Sequence, residues 1–260
     1  MKTVLTIAIV LAVLSLAACV FLRSAENRML YQRTPESNPP GGDAFWLQRD
    51  EAVRLKIWRL HSTARSALLY FGGNAEDVAH NLPTFDRAFP DRAVYLVNYR
   101  GYGGSTGIPS EAALVGDAKA VFDWVKGHHD SVIVMGRSLG TGVATALAAD
   151  RAVERLILVT PFDSIANVAG DHFTSVARSI VVDRYDSAER MKQVHADVLV
   201  VVAARDEVIS RARSDALIAA VNPTSLHVVT IPSAGHNDLD RFPAYLSSVE
   251  EFAAKRGRNE

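Results

Sequence analysis

The regular alternation of short apolar runs with helical stretches constrains the fold of this chain more than any other feature. From residue 66 onward, each apolar run is followed by a helical pattern and then by another apolar run. Nearly continuous apolar runs are typical of strands that helices cover on both faces. The pattern therefore predicts an α/β fold with a doubly wound, mostly parallel sheet, whose functional loops lie beyond the carboxyl ends of the strands.

The residue pattern places the individual elements. Strands are predicted at 53–60, 66–71, 93–98, 131–135, 155–160, 197–203 and 226–231. Helices are predicted at 75–88, 110–126 with Ser110 as the N-cap, 139–150, 210–221 and 241–255. In the first strand, apolar residues alternate with Arg54 and Lys56. This alternation predicts a half-exposed strand, as an edge or antiparallel strand is.

Composition narrows the possible functions. The chain has 260 residues with 48% hydrophobic content, enough for one large α/β domain. Its 28 basic and 29 acidic residues nearly balance, so no nucleic-acid surface is predicted. No HExxH motif or Cys/His cluster predicts a metal site, and Thr106 stands where a GxGxxG dinucleotide fingerprint beginning at Gly101 needs its third glycine. The sequence therefore predicts no cofactor.

The N-terminal segment has the layout of a secretory signal peptide. Lys2 precedes an apolar run from Val4 to Leu16, and small residues follow before Cys19. The letters LAAC at 16–19 resemble the bacterial lipobox, in which cleavage before the cysteine allows it to carry a lipid anchor. Because Cys19 is the only cysteine in the chain, no intramolecular disulfide is possible. The prediction is a lipoprotein in the cell envelope, facing the extracytoplasmic side.

Two alternatives stay open for this segment. Residues 3–22 are about 20 apolar positions, the length of an uncleaved signal anchor that spans a bilayer. A plain cleaved signal has the same layout. The Pro and Gly density of TPESNPPGGD, residues 34–43, predicts a linker. The expected organisation is a signal peptide or anchor at 1–18, a tether at 19–44 and one α/β domain at 45–260.

Ser138 is the candidate nucleophile. It lies in VIVMGRSLGTGVATAL, residues 132–147, where a predicted strand meets a predicted helix. A nucleophilic serine at such a turn needs small residues two positions before and after it, and Gly136 and Gly140 occupy those positions. The helix N-terminus would also present amide groups where an oxyanion forms. The alternative is a glycine-rich turn in which Ser138 only caps the helix.

A nucleophilic serine needs a histidine base and an acid, which follow it in the order Ser, acid, His in this type of sheet. Asp206 and His236 each come directly after a predicted strand in that order. Asp163 is the rival acid, although capping the following helix suits it better. The other histidines precede Asp206 or lie inside a strand: His61, His80, His128, His129, His172, His195 and His227.

The oxyanion hole needs two backbone donors, one from the residue after the nucleophile and one from the loop after an earlier strand. Leu139 is the first candidate. For the second, Gly72 and Gly73 in FGGNA let the backbone approach a ligand, and the Asn74 amide is predicted to face the developing charge. Asn74 is also a candidate cap for the helix predicted from Ala75.

From about Phe45 to the C-terminus, the sequence resembles the α/β-hydrolase family. The resemblance lies in GRSLG, FGGNA, NYRGYGGSTG at 98–107, RDEVI and GHND. It is similar in detail to membrane-tethered hydrolases related to monoacylglycerol and lysophospholipid lipases and to serine aminopeptidase-like members. This implies that loop 98–107 lies beside the active site. Gly72 departs from the family's usual histidine, and Ala204-Arg205 replaces a frequent glycine.

The resemblance implies a serine hydrolase that cleaves carboxylic esters or thioesters of small or lipid-like acyl substrates. The interval between Thr160 and Asp197 leaves room for two or three short helices, so only a minimal cap over the site is expected. A peptidase or amidase with the same triad is one alternative. A membrane-tethered binding protein of hydrolase fold, without catalytic activity, is the other.

Overall fold

The computed structural model describes residues 2–39 and 42–255, which form two compact units that meet after Gln32. The N-terminal unit is one helix, α1 (Lys2–Leu30). Its stretch Ile9–Leu30 has a mean hydropathy of 2.0 and is long and apolar enough to cross a membrane, a test that signal sequences also pass. The helix runs through position 19, but the Cys19 side chain lies outside the described part of the structure.

The second unit is built on a sheet that, within the described residues, has eight strands in the order β1-β2-β4-β3-β5-β6-β7-β8. Strands β1 and β2 are antiparallel to each other, β2 is antiparallel to β4, and all later neighbours are parallel. The mostly parallel sheet confirms the predicted fold class. The strands are β1 (Asp43–Gln48), β2 (Arg54–Leu60), β3 (Ser66–Phe71), β4 (Ala93–Val97), β5 (Ser131–Arg137), β6 (Arg155–Val159), β7 (Asp197–Ala203) and β8 (Leu226–Ile231).

The edge of the sheet differs from the prediction. Strand β1, which the sequence pattern did not reveal, takes the edge position, so β2 is antiparallel but interior. Lys56, expected to face solvent, is only 4% exposed. Its Nζ donates to Glu36 Oε1 at 2.8 Å, Asn38 Oδ1 at 2.8 Å and the carbonyl of Ser37 at 3.1 Å. The chain before β1 therefore covers this strand and pairs its buried charge, as a buried ammonium requires.

Residues 33–39 are accordingly bound to the domain, and we refer to them as the docked segment. Besides the contacts with Lys56, the carbonyl of Thr34 accepts the Gly103 amide at 3.1 Å, and Ser37 Oγ donates to Asp77 Oδ1 at 3.1 Å. The predicted tether, 19–44, thus contains the end of α1 and this docked segment, with residues 40 and 41 outside the described part.

Helices cover both faces of the sheet and mostly follow the sequence prediction. Ser110 is the N-cap of its helix as expected, since its Oγ accepts the Ala113 amide. The region 75–88 is the exception. Ala75 has φ of 58°, a left-handed value that ends any helix there, and regular structure begins as a 3₁₀ turn at Val78. The helices after α1 are α2 (Leu82–Ala88), α3 (Glu111–Lys126), α4 (Leu139–Asp150), α5 (Ile165–His172), α6 (Ser175–Ile180), α7 (Ser187–Met191), α8 (Arg211–Ile218) and α9 (Pro243–Ala254).

Between β6 and β7, where every residue is described, the cap consists of the short helices α5, α6 and α7. Helix α7 packs against α4, and α5 packs against α6. The side chains of Phe173, Val176, Ile180 and Val182 are more than half exposed. This matches the expected minimal cap and leaves an apolar surface on it.

Candidate active site

Ser138 lies in a strained turn between β5 and α4. Its φ of 49° and ψ of −116° fall outside the regions that residues with a Cβ favour, and such strain is concentrated at functional sites. The turn leaves no space beside it, because a Cβ on Gly136 would overlap the Gly140 carbonyl and a Cβ on Gly140 would overlap the Phe71 carbonyl. The two glycines are therefore a steric requirement of the turn that presents Ser138.

The structure brings Ser138, His236 and Asp206 together. His236 Nε2 lies 2.9 Å from Ser138 Oγ, and His236 Nδ1 lies 2.9 and 3.0 Å from the two carboxylate oxygens of Asp206. An ionised carboxylate only accepts hydrogen bonds, so Nδ1 carries the proton and Nε2 is left to accept the serine proton. The side chains of His236 and Asp206 are only 7% and 6% exposed, which keeps water from competing for these bonds.

The loop after β7 fixes the carboxylate of Asp206. Its Oδ1 accepts the amides of Val208 at 2.9 Å and Ile209 at 2.7 Å. These bonds fix the orientation of the carboxylate, whose Oδ2 lies 2.9 Å from His236 Nδ1. The Ala204-Arg205 departure leaves this loop intact, since both amides bond to the β8 side of the sheet edge.

The loop after β8 is held on both sides of His236. The backbone amide of His236 donates to Glu207 Oε2 at 3.1 Å, and its carbonyl accepts from Arg137 Nη2 at 3.3 Å. Burial opposes the charge on Arg137, yet the nearby oxygens of Tyr70 and Glu76 raise its pKa above the ordinary value. No sequence motif points to a role for Arg137 or Glu207, although each directly neighbours a candidate catalytic residue.

The rival acid, Asp163, lies in a different set of contacts. Its carboxylate accepts from Asn167 Nδ2 at 2.5 Å and from the Ser164 amide at 2.9 Å, and it pairs with Arg213 at 3.2 Å. The cap of α5 is the Ser164 side chain rather than Asp163. Asp163 therefore supports the start of the cap region and is not the partner of His236.

The loop after β3 passes beside the nucleophile. A Cβ built on Gly73 would lie 3.5 Å from the Cβ of Ser138, and Leu139 is the first residue of α4 on the other side of the turn. The Asn74 side chain does not cap the helix, as one reading of the sequence expected, because Asp77 caps the 3₁₀ turn. Instead Asn74 Oδ1 accepts the hydroxyl of Tyr102 at 2.9 Å.

Loop 98–107 packs against this same region, where the family resemblance predicted it. The Tyr99 hydroxyl donates to the Gly72 carbonyl at 2.8 Å, and Tyr102 holds the Asn74 side chain. Burial raises the pKa of both phenols, so they stay protonated donors. Gly72, which stands where the family usually has histidine, is thus held through its backbone carbonyl.

Comparisons with known proteins agree with the fold. Residues 73–185 match the family model described as serine aminopeptidase, S33. The chain is 32% identical to uncharacterized protein Rv2307c of Mycobacterium tuberculosis, over 90% of this chain and 88% of the relative. It is 28% identical to human alpha/beta hydrolase domain-containing protein 17C, over 78% of this chain and 63% of that protein.

A solved esterase, Pf2001 of Pyrococcus furiosus, has the same fold. It superposes with a TM-score of 0.70 and 16% identity, covering 85% of this chain and 97% of the esterase. The mostly parallel sheet, the strained serine turn and these similarities lead to one assignment. The chain belongs to the α/β-hydrolase family and is a hydrolase with the same fold as the solved esterase.

Proposed function

We propose that this protein is a serine hydrolase that cleaves carboxylic esters or thioesters through an acyl-enzyme on Ser138. One observation carries the proposal: an unbroken series of hydrogen bonds from Ser138 Oγ through His236 to Asp206, at 2.9 to 3.0 Å. A serine hydroxyl is a weak nucleophile unless an adjacent base accepts its proton, and this arrangement supplies the base and orients it.

In the first half-reaction, Ser138 Oγ attacks the acyl carbon while its proton passes to His236 Nε2. The tetrahedral intermediate collapses as His236 returns that proton to the leaving alcohol or thiol, and the acyl group remains on Ser138. Water then attacks the acyl-enzyme, losing its proton to His236, which protonates Ser138 as the acid leaves. Asp206 stabilises the imidazolium form of His236 in both half-reactions.

The backbone amides of Leu139 and Asn74 are proposed to bind the oxyanion. Leu139 is at the N-terminus of α4, where amide groups and the helix dipole favour negative charge. Asn74 is in the loop whose neighbour Gly73 approaches Ser138. Removing one donor of such a hole typically lowers the rate by about 10² to 10³-fold.

The exposed apolar side chains of the cap favour an apolar acyl substrate. The short cap leaves Phe173, Val176 and Ile180 largely exposed, and exposed apolar surface of this kind marks contact with lipid-like molecules or membranes. A lipid on Cys19, or the uncleaved apolar helix α1, would keep the enzyme at a membrane surface, where such substrates are concentrated. We therefore propose small or lipid-like acyl esters as the substrate class.

A peptidase or amidase is the second candidate, because the matching family model is described as a serine aminopeptidase. The purified protein should be given p-nitrophenyl esters of increasing acyl length and, in parallel, aminoacyl p-nitroanilides. We expect ester hydrolysis to exceed anilide hydrolysis by at least about 100-fold in kcat/KM, a difference of about 2.7 kcal/mol in transition-state binding. Anilide turnover at comparable rates would support the peptidase, and no turnover of either would support a non-catalytic binding protein.

For the N-terminal segment, we propose lipid attachment at Cys19 after cleavage of residues 1–18, with an uncleaved span as the alternative. The test compares the wild type with Cys19→Ala in cells supplied with an alkyne-labelled fatty acid. We expect the wild type to carry the label and to lack residues 1–18 by intact mass, and the variant to be full length and unlabelled. Two full-length, unlabelled proteins in the membrane fraction would instead support the span.

A further inference from the structure

The carboxylate of Glu76 lies in the loop that the sequence pattern assigned to a helix, two residues after Asn74. Its Oε2 accepts the Gly73 amide at 2.6 Å, and the Gly73 carbonyl in turn faces the Glu76 amide at 3.4 Å. These reciprocal contacts close a four-residue turn with Asn74 and Ala75 at its centre. The φ of 58° at Ala75 is the left-handed value that such a turn uses.

The other carboxylate oxygen of Glu76 connects this turn to the core. Its Oε1 accepts the Tyr70 hydroxyl at 2.7 Å and Asn81 Nδ2 at 2.6 Å. Tyr70 is 1% exposed and belongs to β3, the strand that ends at the loop. Hydrogen bonds to an ionised carboxylate are stronger than those between neutral groups. Glu76 therefore links the turn rigidly to the sheet on one side and to the following 3₁₀ turn on the other.

Glycine at position 72 makes room for this arrangement. A Cβ on Gly72 would lie 2.6 Å from Val78 Cγ1 and 3.2 Å from the carboxyl carbon of Glu76. Any larger side chain at position 72 would therefore compete with the Glu76 carboxylate for space. The position of the Glu76 carboxylate therefore depends on glycine at position 72, where the family usually has histidine.

We propose that Glu76 is a positioning residue for the oxyanion hole: by binding the Gly73 amide, it fixes the turn that aims the Asn74 amide at the oxyanion formed on Ser138. This inference rests on the proposed function, because it assigns the turn a role in acyl transfer. The effect is on transition-state stabilisation, since the turn itself is already formed before substrate binds.

The test measures ester hydrolysis and the rate of fluorophosphonate labelling for Glu76→Ala and Glu76→Gln in the full chain. We expect Glu76→Ala to lower kcat by about 10- to 100-fold with KM within about twofold, and to slow labelling in parallel. Glu76→Gln should stay within about threefold of the wild type, because its amide oxygen still accepts the Gly73 amide. Its NH₂ group can donate to the Tyr70 hydroxyl and, once the Asn81 side-chain amide turns over, to Asn81 Oδ1.

Asp77→Ala is the matched control. Asp77 is the next residue and caps the 3₁₀ turn through the Ala79 amide at 3.1 Å, so its loss disturbs the same loop without touching Gly73. We expect its kcat to remain within about threefold of the wild type even if its Tm falls. An unchanged kcat in Glu76→Ala, an equal loss in Asp77→Ala, or a loss in Glu76→Gln as large as in Glu76→Ala would each overturn the positioning role. Failure of the proposed function would be seen separately, as a wild type that neither hydrolyses esters nor takes up the probe.

Discussion

Ser138→Ala is expected to lower kcat by about 10⁴- to 10⁶-fold and to abolish labelling by a fluorophosphonate probe. Without Oγ, His236 has no nucleophile to activate, and only binding and the oxyanion hole remain to accelerate attack by water. Alanine keeps the Cβ, so the strain of the positive φ at position 138 is unchanged, and we expect a similar Tm. The measurement is initial-rate kinetics on the best p-nitrophenyl ester, with labelling read by intact mass.

Ser210→Ala is the control for this experiment. Ser210 is an exposed serine whose Oγ donates to Asp171 Oδ2 at 2.8 Å rather than to a histidine. This variant should react with the probe at the wild-type rate and with the same stoichiometry. Probe attached to Ser138→Ala, mapped to any other serine by peptide mass, would contradict the assignment of the nucleophile.

Asp206→Asn should cost about 10⁴-fold in kcat near neutral pH, with little change in fold. The Val208 and Ile209 amides need an acceptor, so the asparagine oxygen would stay on them and its NH₂ group would face His236 Nδ1. Two donors cannot bond to each other, and the imidazole would respond by carrying its proton on Nε2. In that tautomer His236 cannot accept the proton of Ser138.

Asp163→Asn is the matched acid for comparison. The substitution removes the charge of a carboxylate that is about as buried as that of Asp206. The Asp163 carboxylate, however, pairs with Arg213 at 3.2 Å instead of with the histidine. We expect kcat to stay within about threefold while Tm falls, because Arg213 loses one of its two carboxylate partners and keeps only Asp171. Equal losses of kcat in the two variants would mean that Asp206 acts through stability alone.

The parts of the fold that the sequence predicted are those whose signals are local. The apolar runs predict seven strands within a few residues of their observed bounds, and they point to Asp206 and His236 as candidates because each follows such a run. Edge strand β1 was missed because DAFWLQ directly follows a Pro- and Gly-rich stretch and pairs on one side only. An edge strand has too short an apolar pattern to stand out from a linker.

The contacts that the sequence did not predict are hydrogen bonds of individual side chains, some to a distant segment and some within one loop. The alternation around Lys56 predicts an exposed side chain. Lys56 is buried instead, because the docked segment, some 20 positions earlier in the chain, covers it. The pattern after Asn74 indicates a helix, but the bonds of Glu76 to Gly73 and to the Tyr70 hydroxyl stabilise a turn there instead. Periodicity carries no information about such cross-links.

The docked segment affects how readily proteases can cleave the chain before the α/β domain. Proteolytic enzymes cleave segments that can leave the surface and extend, and Pro- and Gly-rich linkers are usually the first to be cut. Here, detachment of residues 33–39 would break the bonds from Lys56 Nζ to Glu36, Ser37 and Asn38 and the bond between Gly103 and Thr34. That cost opposes cleavage. Residues 33–39, part of a stretch whose composition favours cleavage, are thereby protected against it.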